Sequence, residues 1–143
     1  PFKMIKETLP IMRKNKWGRI INISSVHGSV ASQFKSGYVS SKHGLVGLTK
    51  VIALETAKEN ITCNAIGPGF VDTELVKKQI RNLSKKRGIS FKKISNNLLK
   101  EKHPSMNFIK KDDVSSLAYY LTTNQASQIT GSNLIIDGGW TAQ

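Results

Sequence analysis

The chain has 143 residues, enough for one core, which is a single domain or one half of a larger one. Its one cysteine, Cys63, excludes an internal disulfide, and no apolar run approaches the roughly 18 residues of a membrane-crossing helix. A formal charge of +13 brings nucleic acid forward as a partner, but 12 Lys and Arg lie between Glu74 and Lys111 against two acids, so the excess belongs to one segment.

In chain order, Lys3 to Lys14 carries Met4, Ile5, Leu9 and Met12 at helical spacing, with Pro10 expected to kink or end the helix. Trp17 to Ser25, WGRIINISS, predicts a strand buried on both faces. Gly37 to Glu59 turns helical, and its small residues Ser40, Ser41, Gly44 and Gly47 leave room for another backbone to approach. Ile61 to Gly69, ITCNAIGPG, is a second buried strand closed by a Gly-Pro-Gly turn. Cys63 in that run reads as a buried thiol.

The basic segment follows, helical in parts and broken at Gly88 and Pro104. Phe91 and Phe108 are its only aromatics, too few for a base-stacking platform, so it reads as a solvated lysine-rich surface and nucleic acid as an unlikely partner. Asp112 and Asp113 open a short helix with Val114, Leu117, Ala118 and Leu121 on one face. Ser132 to Gly139, SNLIIDGG, is a third strand. Strands and helices alternate without a hairpin signal, which predicts an α/β fold around a parallel sheet. With no charged-then-apolar leader and a lone cysteine, a soluble, cytoplasmic protein is expected.

The chemistry sits between Ser24 and Lys42. Tyr38 and Lys42, at i and i+4, share a helix face one turn apart. Lowering a phenol's pKa by about two units takes close to 3 kcal/mol. An ammonium about 4 Å away supplies about 4 kcal/mol at an effective dielectric near 20. Such a pair suffices for a general base. Ser25 stands where the first strand runs out and Gly67-Pro68-Gly69 where the second does, the ends at which open α/β sheets bind ligands. No spacing of His, Cys and acids suggests a metal site. Trp17 and Trp140 are expected to pack the core, His43 and His103 to be solvent-side or packing residues.

In order, NISSVHG, YVSSK, NAIGPGFVDT, ITG and IIDGGW resemble the carboxyl-terminal half of the short-chain dehydrogenase/reductase family, over essentially the whole chain. That resemblance implies half of a Rossmann-like doubly wound sheet, three strands of it, with a helical substrate lid at about 74–111. It implies Ser25, Tyr38 and Lys42 as the catalytic group, with Tyr38 and Lys42 also at the nicotinamide ribose and Pro68, Gly69, Val71 and Thr73 lining the nicotinamide. NAD is the implied cofactor. Within the family, HG after the serine, FKSGYVSSKHGLVGLTKV, EKHPSMNF and DGGWTAQ are similar to the bacterial D-3-hydroxybutyrate dehydrogenases. His27, Lys35 and Gln79 fall on their substrate-binding positions, and Lys35 or a protonated His27 would pair with the carboxylate of 3-hydroxybutyrate or acetoacetate. Phe70 and Gly67 stand where those enzymes usually carry Trp and Cys.

No glycine-rich dinucleotide fingerprint occurs in the chain. The amino-terminal nucleotide-binding half is therefore expected to be absent, the first strand to keep an open edge, and these residues alone to turn over little or no substrate. Two settings follow: a homo-oligomer or pairing with a separate amino-terminal half, or, from a different class, a truncated remnant acting as a non-catalytic interaction chain.

Overall fold

A computed structural model describes residues 1–142. Helix α1 (Phe2–Lys14) leads into strand β1 (Gly18–Ile23), helix α2 (Ser36–Glu55) and strand β2 (Ile61–Pro68). After these come helices α3 (Glu74–Arg87), α4 (Phe91–Lys102) and α5 (Lys111–Thr122), then strand β3 (Asn133–Ile136). The strands form one parallel sheet in the order β1-β2-β3, with Ile20 opposite Cys63, Ile23 opposite Ile66, and Ile66 in turn opposite Leu134. The α/β parallel architecture is as the alternation of elements predicts.

Strand pleat divides the core in two. On one face Ile20, Ile61 and Cys63 meet Ile5 and Leu9 of α1 and Ile52 and Ala53 of α2. On the other Ile66 meets Leu121 of α5 and Ala126, with Ile21, Leu117, Leu134 and Ile136 around them. β2 lies between both clusters and between both neighbouring strands, and all eight of its residues are buried. Burial lifts the Cys63 thiol to about 11, so it stays protonated and inert near neutrality.

Several expectations are corrected. Helix α1 does not end at Pro10 but runs on to Lys14. Pro10 is exposed, so the carbonyl it leaves unpaired can face water, and burying Ile5 and Leu9 is worth about 1.5–3 kcal/mol each against about 3 for the proline. β1 ends at Ile23 and is not buried on both faces: its burial alternates, and Ile23 is half exposed at the open edge of the sheet. Only an interior strand of a parallel sheet loses both faces and both edges to neighbours. Trp17 is no core residue either, being 47% exposed with the Arg19 guanidinium 5.2 Å from its ring centre. α2 ends at Glu55 rather than Glu59, and β3 stops at Ile136 because Asp137 to Gly139 form a turn.

Local chemistry fixes the junctions near the carboxyl ends of the strands. Gly28 lets α2 close on the turn after β1, since a Cβ there would stand 2.9 Å from Val46 Cγ2 and 2.7 Å from Ser24 Oγ. The α3–α4 pair leaves and rejoins the body at neighbouring points: the Ile109 amide donates to the Phe70 carbonyl and the Asp72 amide to the Ile109 carbonyl, both at 2.9 Å. Thr73 caps α3 by accepting from the Val76 amide, and Gly88, at φ +63°, ends it. After β3, Gly138 and Gly139 take φ of +62° and +93°. The buried Asp137 carboxylate ties that turn, accepting from the Gly139 amide and from the amide and hydroxyl of Thr141.

Two measurements follow. Ile66→Ala, at the centre of the second cluster, is expected to lower the unfolding free energy by about 2–5 kcal/mol in urea, because β2 is held on every side and cannot collapse onto the cavity. Burial works to raise the Asp137 pKa, but the Thr141 and Gly139 hydrogen bonds outweigh it and hold the carboxyl below its ordinary value. A depressed folded-state pKa gives stability that is present above the unfolded value of 3.8 and is lost as pH falls through the folded one. Asp137→Asn should therefore cost stability at pH 7 and lose less of what remains between pH 5 and 2 than the parent does.

Candidate active site

Parallel register brings the carboxyl ends of β1, β2 and β3 together, and the turns leaving them build one cleft. At the end of β1 the Ser24 amide still donates to the Ile66 carbonyl, at 2.7 Å, which holds Ser25 against the sheet. Ser25 caps the short 3-10 turn Val26–Gly28, its Oγ accepting from the His27 amide at 3.2 Å. From β2 come Gly69 and Phe70, from the turn after β3 Trp140, and from α3 Gln79. Lys35 and Tyr38, at the start of α2, close the ring. Ser25, His27, Lys35, Tyr38, Gly69 and Gln79 all line this one cleft of about 300 Å³, with Phe70, Trp140, Leu75 and Val76 as its apolar wall.

The remaining predicted residues stand behind or beside it. Lys42 does not line the cleft; its Nζ lies 5.7 Å from the Tyr38 ring centre and donates to the Ile23 carbonyl at 3.0 Å. That hydrogen bond to the last residue of β1 keeps the ammonium on the same side as the phenol and spends one of its three N–H groups. Lys42 also borders an adjoining groove with Ile23, Ser41 and Leu45. Pro68 is the buried last residue of β2, paired with Ile136. Val71 bridges to Ile109, and Thr73 caps α3, so both belong to the turn beyond Gly69 rather than to the cleft wall.

His27 is the buried member of the group, 3% exposed, its ring edge-on to Tyr38 at 5.7 Å and to Trp140 at 5.4 Å. Its pKa is lowered, first by burial and then by the positive charges of Lys35, Lys102 and His43. A protonated His27 as carboxylate partner is thus corrected: the ring is neutral near pH 7, and Lys35 is the positive charge on this wall. Its two nitrogens are engaged, Nε2 with Ser32 Oγ at 3.0 Å and Nδ1 with Ser25 Oγ at 3.5 Å.

The roles of Trp140, His103 and Ser32 escape a reading of the sequence alone. Trp140 packs, as expected of it, yet it also walls the cleft; Asp-Gly-Gly just before it signals a tight turn at a strand's carboxyl end, which swings the next residue over the site. Phe70 stacks on His103 at 5.4 Å, and its amide donates to His103 Nε2 at 3.0 Å, while His103 Nδ1 meets the Asn107 carbonyl at 3.0 Å. His103 is the packing residue expected, and it fastens the end of α4 to the cleft wall. Ser32 carries no sequence signal, since its role exists only through the fold of the loop before α2.

A hydroxyl at a strand end, a phenol with an ammonium behind it, and a cationic wall form a site that can hold a small anion and exchange a proton with it. Residues 1–141 match the family described as Enoyl-(Acyl carrier protein) reductase. The chain is 50% identical over 142 residues to a D-beta-hydroxybutyrate dehydrogenase of Rhizobium meliloti (strain 1021), which covers 99% of this chain and 55% of that one. It is 47% identical to the enzyme of the same name from Cupriavidus necator, with the same coverage. Among solved structures, 4-hydroxyisoleucine dehydrogenase complexed with NADH superposes with a TM-score of 0.87 at 38% identity, over 100% of this chain and 55% of that one. ElxO with NADP bound gives 0.83 at 33%, over 97% and 52%. The chain thus spans about half the length of the relatives it matches, and with this agreement of family, sequence and structure it belongs to the short-chain dehydrogenase/reductase family.

Proposed function

We propose that these residues are the catalytic half of an NAD-dependent oxidoreductase that interconverts D-3-hydroxybutyrate and acetoacetate. The observation that carries the reading is the convergence of Ser25, Tyr38, His27, Lys35 and Gln79 on one cleft, with Lys42 behind the phenol. Lys35 takes the substrate carboxylate as a charge-assisted partner, and the Gln79 amide completes its hydrogen bonding. Ser25 hydrogen-bonds the oxygen on the reacting carbon. Tyr38 accepts that oxygen's proton as the alcohol is oxidised and returns it on reduction, with the Lys42 ammonium 5.7 Å from its ring centre.

The cofactor fits in part. In this reading Tyr38 and Gly69 of the cleft, with Lys42, Pro68, Val71 and Thr73 behind or beside it, would hold the nicotinamide and its ribose, and Lys42 has two N–H groups beyond the one given to Ile23. A nicotinamide dinucleotide held there supplies the hydride exchange. No residues of this chain form a glycine-rich pyrophosphate cradle. NAD rather than NADP is part of the proposal, as relatives of both kinds occur among the solved structures.

The same reading assigns the α3–α4 excursion, within residues 74–111, as a substrate lid whose lysines attract a small carboxylate. Its partners are a cofactor-binding half laid against the open edge of β1 and a second copy docked on α2. On that helix Gly37, Gly44 and Gly47 have open space where a Cβ would stand. A cytoplasmic setting is part of the same proposal.

Three experiments test it. In the enzyme assembled with an amino-terminal half from a relative, Lys35→Ala should raise KM for D-3-hydroxybutyrate by tenfold or more, since a hydrogen bond to a charged group is worth about 1.5–3 kcal/mol. In the same assembly Tyr38→Phe should lower kcat by at least about a hundredfold, as loss of a general base does. An unchanged kcat in Tyr38→Phe refutes the assignment. The 143 residues taken alone should show no turnover with NAD, and mixing with the amino-terminal half should restore it; binding to that half without activity would favour a non-catalytic interaction chain.

A further inference from the structure

We propose that His103 is a positioning residue: its ring is the crosspiece between the two legs of the α3–α4 excursion, and by holding the Phe70 amide it keeps the substrate-binding wall of the cleft in place. The inference rests on the reading above for what the cleft binds, and it gives a role in binding to a residue that does not itself line the cleft.

The two ring nitrogens have fixed roles because each meets a backbone group. The Phe70 N–H can only donate, so Nε2, 3.0 Å away, accepts. The Asn107 carbonyl can only accept, so Nδ1, also at 3.0 Å, carries the hydrogen. The ring's one proton and one lone pair are thus both used, by a neutral imidazole with its hydrogen on Nδ1. His103 is wholly buried, and a ring turned away from these partners would leave its own polar atoms unpaired.

Those partners stand on opposite legs. Phe70 follows β2, where the chain leaves for α3, and Asn107 follows α4, where the chain returns. The ring also stacks on Phe70 at 5.4 Å with 20° between the planes and lies 5.9 Å from the Trp140 ring. Its seat is cut to fit. A Cβ on Gly69 would stand 2.6 Å from Nε2, closer than such atoms come, so the glycine after Pro68 is what lets the ring reach the Phe70 amide.

What the ring holds decides what its loss changes. Phe70 and Trp140 are wall residues, and the excursion carries Leu75, Val76 and Gln79 to the same cleft. Ser25, Tyr38 and Lys42 are held by the end of β1 and by α2 instead. Loss of the crosspiece therefore loosens the grip on substrate and spares the proton-transferring group, which is a rise in KM with kcat kept.

Glutamine and asparagine amides differ in reach by one methylene, and only the longer arrives at the place of Nε2. In the assembled enzyme His103→Asn should raise KM for D-3-hydroxybutyrate roughly fivefold, the size of one net hydrogen bond, with kcat within twofold. His103→Gln, whose amide can take both the Phe70 N–H and the Asn107 carbonyl, should keep KM within twofold of the parent. Two spectra of the unassembled chain read the link itself. With 15N-histidine, the ring nitrogens of His103, recognised by their loss in His103→Gln, should show hydrogen on Nδ1 and a bare Nε2. The Phe70 amide should exchange with deuterium roughly tenfold slower in the parent and in His103→Gln than in His103→Asn. Hydrogen on Nε2 in the parent, a Phe70 amide as well protected in His103→Asn as in the parent, a His103→Asn enzyme with unchanged KM or with kcat lowered as far as KM is raised, or a His103→Gln enzyme no better than His103→Asn would each overturn the proposal. So would a His103→Asn chain that fails to fold, since a crosspiece of the excursion is not a support of the sheet. Should the unsubstituted assembled enzyme fail to oxidise 3-hydroxybutyrate, the reading of function falls, while the spectra still judge the crosspiece.

Discussion

Everything in the site depends on β2 being parallel to both of its neighbours. Strands that run the same way end at the same edge, so the residues following Ile23, Pro68 and Ile136 must all emerge there. Ser25, Gly69 and Trp140 are far apart in the chain and adjacent in space for that reason alone. An antiparallel partner would have sent one of those turns to the opposite end. The burial of β2 on both faces and both edges stabilises the arrangement, and it is why a chain with so few strands still has an organised edge.

The fold, and the placing of Tyr38 and Lys42 on one side of a helix, were legible because their signals are local. β-branched runs closed by glycine and serine mark strands, and i, i+4 spacing places Tyr38 and Lys42 on one side of a helix. The three-dimensional sums were not legible. Whether Pro10 breaks α1 depends on how much Ile5 and Leu9 bury, and whether Trp17 enters the core depends on which strand lies at the edge. His27 shows the limit most clearly. Its sequence position suggests a cation beside a carboxylate, but its charge state is set by burial and by two lysines, one of them 75 residues away in the chain. Ser32 and His103 act through contacts that no spacing rule reports.

Charge is distributed with the same economy. Most of the net positive charge rides on the outer faces of α3 and α4, whose buried side chains are few: Ile80 on α3 and Ile94, Ser95 and Leu99 on α4. The excursion is therefore held chiefly at its feet, by the Phe70–Ile109–Asp72 ladder and by His103, rather than by a broad apolar contact. The stability of such a segment is largely separate from that of the two clusters on either face of β2.

Cys63 gives access to the sheet itself. Its sulfur sits at the middle of the central strand, wholly shielded and held protonated by its surroundings. An alkylating reagent can reach it only when α1 or α2 lifts from that face of the sheet or the body unfolds. With no other thiol in the chain to compete, the rate of its modification is a clock for how often the body of the molecule breathes, and it runs whether or not any ligand occupies the far edge.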